Sequence, residues 1–72
     1  MTYLGWFDDG KKRTTAERID AAARRYEHKH GIAPTVALVN PEDAIGVTAP
    51  LGIEIRPTSY VARNTVYVGR DA

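Results

Sequence analysis

Apolar and polar positions along this chain fall into one segment with helical spacing and three or four segments with the spacing of strands. The helical segment is the most complete. Thr14 stands as N-cap with Glu17 three positions on, a T-x-x-E capping box in which each residue satisfies a backbone N–H of the other. Apolar residues follow at Ala16, Ile19, Ala22, Ala23 and Tyr26, spaced by threes and fours into one stripe. Glu17, Arg18, Asp20, Arg24, Arg25 and Glu27 fall on the opposite side, with Asp20 and Arg24 at the i,i+4 spacing of an ion pair. Gly31 supplies a left-handed residue after the last turn, Ile32 the apolar contact that goes with it, and Pro34 a stop. A helix over residues 15–30 is predicted.

The remaining apolar segments read as strands. Residues 2–7 are aromatic-rich and end in the turn chemistry of Asp8-Asp9-Gly10, with Tyr3 and Phe7 on one face and Leu4 and Trp6 on the other. Thr35-Val36-Ala37-Leu38-Val39 is apolar throughout, so both faces want burial and the strand belongs in the middle of a sheet. Asn40-Pro41-Glu42-Asp43 is a turn and residues 44–51 a loop broken by Gly46 and Pro50. Residues 52–56 and 65–68 alternate cleanly and are expected to pair as an antiparallel hairpin across the loop 58–64. That pairing turns Ile53, Ile55, Val66 and Val68 to the helix, and Glu54, Arg56, Thr65 and Tyr67 away from it. A rival reading turns at Arg63-Asn64 and pairs Tyr60 with Tyr67. It requires a continuous strand through Pro57 and Ser59, which suit one poorly.

The order β-α-β-β-β defines an α+β domain spanning residues 1–72, with one helix on one face of a three- or four-stranded, mostly antiparallel sheet. Strands apolar on both faces outnumber what a single helix can cover. The uncovered face is therefore expected to meet solvent, a copy of itself, or a partner. By alternation it would show Arg56 and Tyr67, with Trp6, Leu4, Ala37 and Val39 from neighbouring strands. In a bland alternative, the 44–52 loop covers Trp6 and Leu4 and Tyr67 lies on the rim.

Size sharpens the question. A chain of 72 residues buries only about 60% of the surface its unfolded form exposes. Small domains commonly add disulfides, metals or self-association. The chain has no cysteine, which excludes disulfides and thiolate metal sites. His28 and His30 are two apart, so on a helix they diverge, and a metal site is not expected. Self-association is what remains. A hydrophobic fraction of 43% is that of a folded chain. The start Met1-Thr2-Tyr3-Leu4-Gly5 lacks the basic and apolar regions of a secretory leader, and no apolar run is long enough to span a bilayer. A soluble cytoplasmic protein is the expectation.

Net charge is +1 and argues for no particular partner. Seven of ten basic residues lie on or just before the helix, interleaved with acids, as on a solvated helix face. Lys11-Lys12-Arg13 precedes a helix N-terminus, where backbone N–H groups favour anions, so it is a candidate contact for phosphate or nucleic acid. A solvated turn is the simpler explanation, since such charge runs are common. Arg56, Arg63 and Arg70 scatter over strand, loop and end. His28 and His30 complement the negative end of the helix dipole.

No catalytic arrangement is legible. Glu42, Asp43 and Glu54-x-Arg56 resemble the acid-then-E-x-K layout of metal-dependent nucleases, but Arg stands where that layout has Lys and the chain is short for such a core. There is no G-x-S-x-G elbow and no Gly-rich loop between strand and helix. The pattern Ile53-Glu54-Ile55-Arg56-Pro57, Asn64 and Tyr67-Val68-Gly69 resembles short bacterial or phage reading frames, a resemblance that implies no activity. The expected function is non-enzymatic and needs no cofactor: protein contact, as a homodimer through the open sheet face, with Trp6, Arg56 and Tyr67 as interaction residues. One alternative is a single-stranded nucleic-acid module using the same face with Lys11, Lys12 and Arg13, because aromatic and arginine side chains stack on unpaired bases. Another is an accessory subunit or inhibitor of a particular protein.

Overall fold

The computed structural model describes residues 3–7, 14–48 and 52–70. Five elements follow one another: β1 (Tyr3–Phe7), α1 (Thr15–His30), β2 (Val36–Val39), β3 (Glu54–Pro57) and β4 (Thr65–Gly69). The helix is bounded as its capping signals require. Glu17 N donates to Thr14 Oγ1 at 3.2 Å, and Thr14 N donates to Glu17 Oε1 at 3.4 Å. At the other end Gly31 takes φ +77° and its N–H donates to the Glu27 carbonyl at 2.8 Å. Asp20 and Arg24 form the expected i,i+4 pair at 3.1 Å on the exposed side, where such pairs stabilise by a few tenths of a kcal/mol at most, roughly.

The four strands form one sheet in the order β1-β4-β2-β3. β1 and β4 are antiparallel, as are β4 and β2, whereas β2 and β3 run parallel. The α+β class and the mostly antiparallel sheet are as the chain's pattern predicts. The β3–β4 hairpin is not: β2 lies between them. The reason is the composition of β2. Val36-Ala37-Leu38-Val39 is apolar on both faces and buries best with a strand on each side. The chain from Thr58 to Asn64 needs only to step across one intervening strand, roughly 10 Å, well within the reach of seven residues. Thr58 N bonds the Val39 carbonyl at 2.7 Å as it crosses, and Asn40 Nδ2 holds the Val61 carbonyl at 2.9 Å.

The core lies between helix and sheet. Ile19, Ala22 and Tyr26 of α1 meet Ala37, Val39, Val66 and Val68, all buried. Each fully buried branched side chain here stabilises by about 1.5–3 kcal/mol. Small alanines at Ala22 and Ala37 let α1 sit close to the sheet. The helix packs over β4 and β1. Beyond it, Ala44 and Val47 of the β2–β3 crossover join the same core with Ile53 and Ile55. The crossover is thus a second lid, on the same face of the sheet as α1. Arg18 departs from the expected wet side of the helix and is buried.

Candidate functional site

Two surfaces come forward, one on each side of β1. The first is the sheet face turned away from α1. Register across the strands places Gly5, Tyr67, Leu38 and Arg56 in one row, with Phe7 and Thr65 beside it and Tyr3, Gly69, Val36 and Glu54 on the other flank. Phe7 is 65% exposed and Tyr67 38% exposed, while Leu38 between β4 and β3 is half-buried. Val36 is fully buried, so the bare part of this face is the end carrying Phe7, Tyr67 and Leu38. Tyr67 lies across Gly5: a β-carbon at Gly5 would stand 2.9 Å from the Tyr67 ring. At the β3 edge Arg56 Nε donates to Glu54 Oε2 at 2.6 Å, so the patch ends in an ion pair with no excess charge.

Of the expected interaction residues, Arg56 and Tyr67 share this face and Trp6 does not. Trp6 pairs in register with Val66 and, like Leu4, Ala37 and Val39, turns to the helix. The cause is the alternation of β1: Trp6 and Leu4 belong to its one face, and α1 packs on that face because Val66 and Val68 are there. Trp6 is half-buried, with Nε1 buried and without a hydrogen-bond partner, and the Arg25 guanidinium lies 6.0 Å from its ring centre. Phe7 and Leu38 take the place that the sequence assigned to Trp6. Lys11, Lys12 and Arg13 lie outside the described residues.

The second surface is a groove of about 790 Å³ between α1 and the outer rim of β1, lined by Leu4, Ala21, Arg24, Arg25, His28 and Lys29. No carboxylate among the described residues lines it. The signal was present in the chain: Ala21, Arg25 and His28 recur at i, i+4 and i+7, a small residue followed by an arginine and a histidine along one flank of the helix.

A polar tie holds the end of the sheet where β2 finishes and β4 begins. Asp43, buried in the turn after β2, accepts Arg63 Nε at 2.6 Å and the Asn64 N–H at 2.8 Å. Arg63 also donates to Glu42 Oε2 at 2.7 Å. The hydrogen bond and charge of Asp43, joined by Glu42, raise the Arg63 pKa still further above its ordinary value. Of the three acids that resembled a nuclease layout, Glu42 and Asp43 are engaged in fixing the turn before β4 and Glu54 pairs with Arg56. Asn64 sits there in the left-handed region at φ 63°. Arg70 in turn donates to the Ala33 carbonyl at 2.6 Å, so neither loop arginine is scattered at random. Among the described residues no three His, Cys, Asp or Glu side chains come together as a metal site. Nor is any described helix long and apolar enough to cross a membrane.

Comparison with protein-family models, with curated proteins and with solved structures yields no match to this chain.

Proposed function

We propose that this chain is a non-enzymatic protein-interaction domain that pairs with a second copy of itself through the bare end of the sheet face formed by Phe7, Tyr67, Leu38 and Arg56. The observation that carries the reading is the exposure of Phe7 beside Tyr67 on a face that α1 does not reach. Aromatic residues and arginine are enriched in interface cores. A copy related by a two-fold axis offers the same patch to itself, and the Glu54–Arg56 pair at its edge brings balanced charge to the rim. A stable interface takes about 800 Å² from each partner, a modest part of the 4666 Å² this chain exposes. Self-association also supplies burial that a domain without disulfides lacks.

Sedimentation equilibrium at micromolar and millimolar concentrations tests the reading. The mass should rise from that of one chain toward that of two, and Phe7→Glu should hold it at one. A single-chain mass at every concentration, or a dimer indifferent to Phe7→Glu, rejects it. The single-stranded nucleic-acid alternative would use the same face through Phe7, Tyr67 and Arg56, without Trp6, which turns to the helix side.

A further inference from the structure

We infer that the free edge of β1 accepts an extended acidic–apolar segment of a partner protein, which adds to the sheet as a fifth strand and sets its carboxylates against the basic groove of α1. The edge adjoins the proposed dimer seam at Phe7 but the inference rests on the outer side of β1 and the groove of α1, and either can fail alone.

It starts from the contrast between the two sheet edges. β3 ends the sheet with Glu54, Arg56 and Pro57, and charge and proline are the usual devices that keep an edge from pairing. β1 ends it with Tyr3-Leu4-Gly5-Trp6-Phe7, which carries neither. Among the described residues nothing pairs with its outer side. An uncharged, apolar edge strand is a template for strand addition.

Charge then chooses the occupant. Beside this edge Arg24, Arg25, His28 and Lys29 line the groove over Leu4. An antiparallel pair of β1 strands from two copies requires a two-fold axis normal to the sheet. Both helices would then lie on the same face, and their cationic flanks would converge across the seam. Like charges brought together repel, so a second copy is disfavoured here. An incoming strand with carboxylates at every second position is favoured. Those side chains point toward Arg25 and Lys29, and the alternate ones point to the other face beside Tyr3 and Phe7, where apolar residues are wanted. Backbone hydrogen bonds supply the register and charge-assisted contacts the selectivity.

The chain contains one tryptophan, Trp6, on this very strand, so its emission reports occupancy. The probe is an end-blocked octapeptide alternating glutamate and valine, titrated against the full chain at low salt. Saturable binding is expected, with a change in Trp6 emission and slowed hydrogen exchange of those β1 amides that point away from β4. The Arg25→Glu/Lys29→Glu variant should bind at least tenfold more weakly and should prefer the lysine–valine peptide. Circular dichroism and exchange of the core amides in that variant establish that it is folded. Three outcomes overturn the inference: no saturable binding up to millimolar peptide, equal affinity for the glutamate and lysine peptides, or binding without protection at β1. Tighter binding of a single-stranded oligonucleotide than of the acidic peptide would also overturn it, assigning the groove to phosphate instead.

Discussion

The ring of Tyr67 rests on the backbone of Gly5, its strand neighbour across the β1–β4 pair, so closely that a β-carbon at Gly5 would meet the ring Cε1 at 2.9 Å. An aromatic laid over a cross-strand glycine shields backbone that would otherwise face water. The same relationship fixes the Tyr67 ring on the face proposed for self-association.

Alanine at Gly5 should therefore push the Tyr67 ring off its seat. In isolation Gly→Ala in a strand stabilises by about 0.5–1 kcal/mol. Here the expected result is a net loss of about 1 kcal/mol, and a gain in the Tyr67→Ala background. A double-mutant cycle by urea unfolding reads the coupling directly. Additive effects would show that the contact carries no energy.

Asp43 should be the most sensitive polar position. Its removal leaves the Asn64 N–H without an acceptor and deprives Arg63 of its buried partner. Asp43→Ala is expected to cost about 1–3 kcal/mol, a large fraction of the stability of a domain this small. Because the Arg63 pKa is raised, its part in the tie is complete below the ordinary arginine range and is lost only as pH climbs through the raised value. Thermal unfolding of wild-type protein and Arg63→Ala should accordingly differ by a constant amount from neutral pH up to mildly alkaline pH. A difference that closes over that interval would contradict the assignment.

The helix caps give a second pair of expectations. Thr14→Ala removes the oxygen that accepts Glu17 N–H and should cost about 1 kcal/mol. Gly31→Ala puts a side chain at φ +77° in open space, so its cost, also about 1 kcal/mol, is backbone strain and not a clash. For a domain of this size each should lower Tm by roughly 4–8 °C. The two sites share no contact, so the double variant should show the sum.

Salt separates the two proposed surfaces. Raising ionic strength from about 0.1 M to about 1 M shortens the screening length from about 10 Å to about 3 Å. The dimer built on Phe7, Tyr67 and Leu38 should keep its dissociation constant within a few-fold over that range. Binding of the acidic peptide to the Arg25–Lys29 groove should weaken by an order of magnitude or more. Sedimentation and fluorescence titrations at the two salt concentrations check both.

What the chain determines by itself is what depends on neighbours a few residues apart. The helix from Thr15 to His30, its capping box, its glycine stop and the alternation within each strand are set by local hydrogen bonds and by the periods of the backbone. The central place of β2 also follows from its own composition. The partner of each strand does not. β3 alternates as well beside β4 as beside β2, and only competition among all four strands for burial put β2 between them. The face of Trp6 was undecided for the same reason: alternation says that Trp6 lies opposite Phe7, but not which of the two meets α1. Packing decided it, because Val66 and Val68 drew the helix to their side of the sheet and Leu4 and Trp6 came with them. Likewise Asp43 and Arg63 are twenty positions apart, and no periodicity links residues at that distance. Their pairing exists only because the strand crossing brought two turns to the same end of the sheet.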